Sequence, residues 1–342
     1  MRAAIFSETG GPEVVTVRDV DRPEPGPGEV RIRVGASGMN HLDLWVRRGL
    51  PIETTMPHIG GSDIAGTVES LGEGVEGWEP GARVVVNPSL RCGRCRWCRE
   101  GQDPLCDDFR ILGEHTQGGF AEYVTVPAGN LYRIPDGVPF ETAAAAPLVY
   151  LTAWRGLVVR GRLREGDTVL ITGASGGVAT AAIRIAKHLG ATVHAVTSTP
   201  WVERVAALGA DAVYDRLDEA TDYGKEVWTA TGKRGVDVVF DSVGAATFRQ
   251  NVRTLAKMGR MVVYGATTGA DGVVDLRLLF WKQLEILGTT MATDAEFRTV
   301  MDRVFAGDLE PVVDVVWPLD RAQEAHARLE AGDAFGTLVL VP

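Results

Sequence analysis

Thr168-Val169-Leu170-Ile171-Thr172-Gly173-Ala174-Ser175-Gly176-Gly177-Val178 decides the fold. Five residues, three of them branched and apolar, read as a buried strand, and the small residues after them read as a tight turn. Ala181-Ala182-Ile183-Arg184-Ile185-Ala186-Lys187-His188-Leu189 continues with helical spacing and ends at Gly190, a helix stop. Working outward, Thr192–Val196 reads as a strand, Val202–Leu208 as a helix and Ala212–Tyr214 as a short strand. Val236–Phe240, Arg260–Tyr264 and Leu284–Gly288 are later strands. Six strands with helices among the first five predict a doubly wound parallel sheet, and hence an α/β protein. Backbone N–H groups at the start of the first helix would face a pyrophosphate, and Gly173, Ser175, Gly176, Gly177 and Val178 would let it approach.

The glycine turn departs from strict G-x-G-x-x-G, because Ser175 stands where the second glycine would be. An acidic residue at the end of the second strand would bind the ribose hydroxyls of NAD; the chain instead reads Val196-Thr197-Ser198-Thr199-Pro200. That absence predicts NADP(H) over NAD(H), with Ser198 in the turn and Arg204 and Arg216 near the extra phosphate. The other reading of both arginines is a solvated surface. Asp241-Ser242-Val243-Gly244 and Tyr264-Gly265-Ala266-Thr267-Thr268 end the fourth and fifth strands, where Ser242 and Gly265 would border the bound nucleotide.

The whole chain has 342 residues, enough for about two domains. With 45% hydrophobic and 23% charged residues it has the composition of a globular protein able to bury a core. The net charge of −10 excludes a general affinity for nucleic acid or anionic membrane. No uncharged stretch has the length and apolarity of a spanning helix, and the N-terminal Met1–Ser7 reads as a strand, not a signal peptide. A cytoplasmic location follows as an expectation.

All four cysteines, Cys92, Cys95, Cys98 and Cys106, fall within fifteen residues as C-x2-C-x2-C-x7-C. The spacing suits four thiolates around one tetrahedral zinc. Disulfides fit less well, since three cysteines at two-residue gaps are crowded and a reducing compartment disfavours them. Four protein ligands leave no open position, so this zinc, one per chain, would be structural.

These parts together resemble the medium-chain dehydrogenase/reductase superfamily, which includes zinc alcohol dehydrogenases and quinone oxidoreductases. The resemblance rests on Gly28-Glu29-Val30, Gly38-Met39-Asn40-His41-Leu42-Asp43 and Gly61-Ser62-Asp63-Ile64-Ala65-Gly66-Thr67-Val68. The four-cysteine lobe, Gly118-Gly119-Phe120-Ala121-Glu122-Tyr123 and Leu151-Thr152-Ala153-Trp154 extend it. It implies a GroES-like, mainly β catalytic domain over residues 1–148 and 291–342, with the zinc lobe at about 88–112. A Rossmann domain over 149–290 would be inserted within it, and the active site would lie in the cleft. It also implies a homodimer or homotetramer, with Asp275–Trp281 supporting the subunit contact. Cleft shape would come from the loops Leu50–Thr55 and Thr267–Val273.

The departures bear on mechanism. Where zinc alcohol dehydrogenases carry a Cys ligand, this chain has Asn40; where they carry His-Glu, it has Ser62-Asp63. The third ligand, four residues before Thr152, falls on Leu148, and the proton-relay hydroxyl falls on Leu42. The resemblance therefore implies no catalytic zinc at the usual place. His41, His58 and Asp63 are of ligand type, but His41 matches a position that contacts the cofactor pyrophosphate, and His58 follows Pro57 in a loop. His115, in Gly113-Glu114-His115, reads as a loop histidine that could face the cleft. Asn40 through Gly49 looks like the N-x-x-D segment of quinone oxidoreductases and enoyl reductases. By that likeness Asn40 would hydrogen-bond near cofactor and substrate, Asp43 would hold the loop, and Trp45 would line a slot for a flat substrate. Thr152 would lie beside the cofactor. For Asp43 a turn role, and for Trp45 a plain core role, are the competing readings.

Reducing an aldehyde without a Lewis acid leaves alkoxide charge in need of donors, whereas a conjugated C=C spreads that charge into an enolate. The expectation is an NADP(H)-dependent reductase of enones or quinones acting on a small molecule. An NAD(P)-dependent alcohol or aldehyde dehydrogenase is the alternative within the class. A cofactor-binding protein with little turnover is the alternative outside it.

Overall fold

The computed structural model describes every residue except Glu53, Glu219 and Thr221, so part of the Leu50–Thr55 loop lies outside the described residues. The chain forms two compact units, Met1–Val149 with Ala292–Pro342, and Tyr150–Met291.

In the first unit the long strand Glu29–Met39 is the organising element. It pairs antiparallel with Asp63–Leu71, with Tyr123–Pro127 and with the C-terminal strand Thr337–Val341. The sheet extends through Arg83–Val86 and Leu131–Arg133 on one side and Val313–Pro318 on the other. Val30, Ile32, Val34, Ile64, Val68, Val84, Val86, Val124 and Val126 meet in one buried cluster, as β-branched residues on a shared pleated face do. Each such side chain contributes roughly 1.5–3 kcal/mol of apolar burial. The register matters more for function: Gly38 lies opposite Asp63, two residues before Asn40. Gly38 must be glycine, since a Cβ there would stand 2.4 Å from the Ala144 carbonyl oxygen.

The second unit holds a six-stranded parallel sheet. Its order in space is Ala212–Asp215, Thr192–Thr197, Thr168–Thr172, Val236–Asp241, Leu255–Val263 and Glu285–Gly288. Numbered along the chain this is 3-2-1-4-5-6, the doubly wound arrangement. Three expected boundaries move. The first helix starts at Gly177, inside the glycine turn. The fifth strand starts at Leu255, which pairs with Val236 before an irregularity resets the register to Val238–Arg260. Lys257-Met258-Gly259 hides that early start, because Met258 is in the left-handed region and faces solvent. A helix, Leu276–Lys282, also precedes the sixth strand. Among the described residues no helix is long and apolar enough to cross a membrane.

Candidate functional site

In the first unit, Asn40 ends the central strand and caps the helix His41–Arg48. Its backbone N–H donates to Asp43 Oδ2 at 2.7 Å, and Gly61 N–H donates to Asp43 Oδ1 at 2.9 Å. Asp43 thus ties the helix start to the Gly60–Gly61 turn with both oxygens used. The Asn40 side chain turns to the strand that Gly38 pairs with, and its Nδ2 donates to Asp63 Oδ2 at 2.9 Å. The other Asp63 oxygen accepts the Leu148 N–H at 2.9 Å. Asn40, Asp63 and Leu148, three of the positions matched to the metal-binding motifs along with Ser62, are therefore joined by hydrogen bonds.

Asp43 and Asp63 are almost wholly buried. Burial pushes the Asp63 carboxyl up to about 7 and the Asp43 carboxyl to about 6, against the pull of their N–H donors. A third carboxyl, Glu114, is pushed up to about 7 by burial and by the nearby charge of Asp43. Sequence reasoning passed over Glu114 in favour of its neighbour His115. The signal for it was weak, a lone carboxyl in a Gly-Glu-His turn. Gly113 rests so close to Gly61 that a Cβ on it would meet the Gly61 carbonyl at 2.7 Å. His58 reaches the Gly113 carbonyl oxygen through Nε2 at 2.9 Å, which keeps the two turns together. His41 is exposed at the helix start; Trp45 is half-buried one turn on, with its ring edge toward the His41 ring at 6.3 Å.

Cys92, Cys95, Cys98 and Cys106 bring their sulfur atoms within 4.8 Å of one another, and none is in a disulfide. Tetrahedral zinc with Zn–S near ~2.3 Å requires such spacing. Backbone N–H groups of Cys92 and Asp108 donate to Cys106 Sγ at 3.3 and 3.4 Å, and that of Cys95 to Cys92 Sγ at 3.4 Å. Such donors suit thiolates, so the set fits a structural zinc. Among the described residues it is the one group of three or more cysteine, histidine or carboxylate side chains converging at metal-binding distance.

In the second unit the turn after Thr172 forms as its residues predict. Gly173 takes φ +63°, a conformation costly for any side chain, and a Cβ on Gly176 would meet only the Gly173 carbonyl oxygen at 3.5 Å. Among the described residues no side-chain hydrogen bond caps the helix Gly177–His188, and the first N–H groups of a helix, here those of Gly177 and Val178 among them, have no partner within it. This cradle fits an anionic dinucleotide. Ser242 Oγ would lie 3.7 Å from a Cβ on Gly173, and Ser242 Cβ 3.1 Å from one on Gly265, so the three meet at the carboxyl ends of their strands. Asp241, buried behind them, accepts hydrogen bonds from Thr172, Thr247, Asn251 and the Gly244 N–H, fixing that turn. Thr152 is buried on the helix Pro147–Trp154.

At the end of the second strand Ser198 is half-buried, and Arg204 and Arg216 are exposed, with the Arg204 guanidinium over Trp201. The parallel register sets Thr197 opposite Asp215. The Thr199 hydroxyl and the Leu217 N–H hold that carboxyl below its ordinary range. An acid thus stands one strand away from where sequence reasoning looked for it.

A β-rich unit bearing a four-thiolate lobe and a second unit built on a 3-2-1-4-5-6 sheet with a glycine-turn phosphate cradle define a nicotinamide-dependent oxidoreductase. Residues 26–136 match the alcohol dehydrogenase GroES-like domain, and residues 177–306 match the zinc-binding dehydrogenase family. An NAD-dependent alcohol dehydrogenase of Sulfolobus acidocaldarius is 32% identical over 99% of both chains. An acryloyl-coenzyme A reductase of Sulfurisphaera tokodaii is 30% identical over 95% of this chain and 96% of its own. A crystal structure of an NAD-dependent alcohol dehydrogenase superposes with TM-score 0.95 at 44% identity, covering 100% of both chains. The chain belongs to the medium-chain dehydrogenase/reductase superfamily. By name the two alcohol dehydrogenases favour the alcohol dehydrogenase alternative over the enone and quinone expectation, and they are called NAD-dependent where NADP(H) was expected.

Proposed function

We propose that the protein reduces an activated C=C bond conjugated to a carbonyl, in a small molecule, without a catalytic zinc. The observation that supports this reading is the Asn40–Asp63–Leu148 closure. An amide, a carboxylate already holding two N–H donors and an apolar side chain offer no ligand set for tetrahedral zinc. Bound reduced nicotinamide would supply the hydride. Asn40 would orient the substrate oxygen, Asp63 would hold Asn40, Asp43 would keep the helix start in place, and Trp45 would flank a flat acceptor. The acryloyl-coenzyme A reductase relative, whose name gives a conjugated acyl substrate, supports the same class.

Alcohol or aldehyde turnover is the second reading, favoured by the names of the other relatives. At the adenosine end, Ser198 with Arg204 and Arg216 supports NADP(H), while Asp215 beside Thr197 and those names support NAD(H). For assembly we propose a homo-oligomer. Phe280 and Trp281 are 66% and 78% exposed on the helix leading into Glu285–Gly288, an edge strand that leaves one side without a partner strand.

The test is a panel of enones, quinones, enoyl thioesters, aldehydes and alcohols with each dinucleotide, alongside zinc per chain by elemental analysis. Deuterium passing from labelled cofactor to the β-carbon, with one zinc per chain, supports the reading. Alcohol oxidation abolished by a chelator, with two zincs per chain, refutes it.

A further inference from the structure

Three carboxyl groups, Asp43, Asp63 and Glu114, gather around the Gly60–Ser62 turn, and their surroundings differ in kind. Asp43 and Asp63 each hold two N–H donors, which favour the ionised form. The Glu114 carboxyl has neither kind of support. Its Oε2 lies 3.5 Å from His115 Nδ1, and that same nitrogen accepts the Ile111 N–H at 3.2 Å. A nitrogen that accepts a backbone N–H presents a lone pair, so its proton sits on Nε2. That one lone pair is engaged by Ile111, so Nδ1 would give the Glu114 carboxylate, 3.5 Å away, a hydrogen bond only by taking up a second proton. His115 does not provide it, because burial and Arg110 lower its affinity for a second proton. The proton belongs to Glu114. Exposure separates the three again: Asp63 is 0% and Asp43 2% exposed, while Glu114 keeps an open edge at 9%.

We propose that Glu114, neutral and the most exposed of the three carboxyls, is the catalytic proton donor of the reduction. The inference rests on the C=C reading above. As hydride from the reduced nicotinamide reaches the β-carbon, the π electrons move toward the carbonyl. The O–H bond of Glu114 then breaks, its proton forms the new C–H bond at the α-carbon, and Glu114 is left as a carboxylate. Water returns the proton. The substrate gains one hydride and one proton, and the cofactor is oxidised by two electrons. The charges and titratable groups around Glu114 are Asp43 from the helix His41–Arg48, Asp63 from its strand, His58 on Gly113, and His115 with Arg110 behind it. Burial and the Asp43 charge oppose ionisation of Glu114, and so keep the acid loaded near neutrality.

The experiment uses the full-length protein and Glu114→Gln, a change of charge at nearly constant shape. Infrared difference spectra at pH 6.5, wild type against variant so that the carboxyls of Asp43 and Asp63 cancel, read the carboxylic-acid band of Glu114, and steady-state rates of enone reduction are measured between pH 5 and 9. In the wild type, reduction should fall as pH rises through about 7, where Glu114 loses its proton. Glu114→Gln should remove the infrared band, lower kcat on the order of 10²-fold, abolish that limb and leave dinucleotide affinity unchanged. An unaltered infrared band, or wild-type kcat with the limb intact, overturns the proposal. A wild type that reduces no activated C=C overturns the parent reading and the donor role with it. The infrared band then still decides where the proton sits.

Discussion

Asp63→Asn at the buried pair makes a sharp test of the energetics, because its effect depends on pH. In the native protein the Asp63 carboxyl rises from its ordinary 3.8 to about 7, chiefly through burial. A shift of that size is worth about 4 kcal/mol at ~1.4 kcal/mol for each tenfold change in proton affinity. The folded state binds this proton more tightly than the unfolded chain. Stability from the group is therefore full below about pH 4 and lost as pH rises toward 7. Asparagine has nothing to lose over that window. A protonated carboxyl and an amide each keep one acceptor oxygen for the Leu148 N–H and offer one donor, which the Asn40 amide meets by turning its own oxygen toward it. Near pH 4 the two proteins should unfold within about 1 kcal/mol of each other. At pH 8 the variant should be the more stable by up to about 4 kcal/mol. Urea unfolding at both pH values, followed by tryptophan fluorescence, measures the difference. A variant several kcal/mol less stable than the wild type at pH 8 would refute the reasoning. Its two N–H donors would then stabilise the ionised carboxylate by more than burial costs it.

Four further outcomes are expected. Removing zinc with a chelator should expose the lobe to trypsin at Arg94 and Arg99, both exposed beside short helical turns with little core of their own; unchanged cleavage would mean the lobe stands without metal. Asn40→Ala should lower kcat for C=C reduction by roughly 10²–10³-fold, the usual loss for one donor at a developing oxyanion, with dinucleotide affinity unchanged. Gly173→Ala, at φ +63°, should cost about 1–2 kcal/mol and weaken dinucleotide binding, read by titration calorimetry. Trp281→Glu should shift sedimentation toward the monomer, since it buries a charge in the proposed contact.

The parts of this fold that could be read from sequence are those whose cause is local. Thr168–Val178 announces strand, turn and helix because the apolar run, the glycines and the helical spacing are contiguous. The four cysteines announce a metal because their spacing is itself the geometry. What escaped depends on register. Asp63 meets Asn40 because Gly38 pairs with it across the sheet, and Asp215 meets the Thr197 turn because two parallel strands align. Leu148 acts through its backbone N–H, which every residue but proline possesses, so no side-chain pattern could mark it. Glu114 depends on a nitrogen whose lone pair is fixed only once Ile111 N–H is seen to donate to it.

Register also explains why the three substitutions belong together. Cysteine alone at position 40 would face a carboxylate already holding the Leu148 N–H and an apolar side chain at 148, one thiolate short of any stable zinc set. Asp63 alone, without the Asn40 amide, would be a buried carboxylate with half its donors gone. Each of the three residues is tolerable because the other two are present. On the proposed zinc-free reading, the site works as one hydrogen-bonded unit of Asn40, Asp63 and the Leu148 N–H.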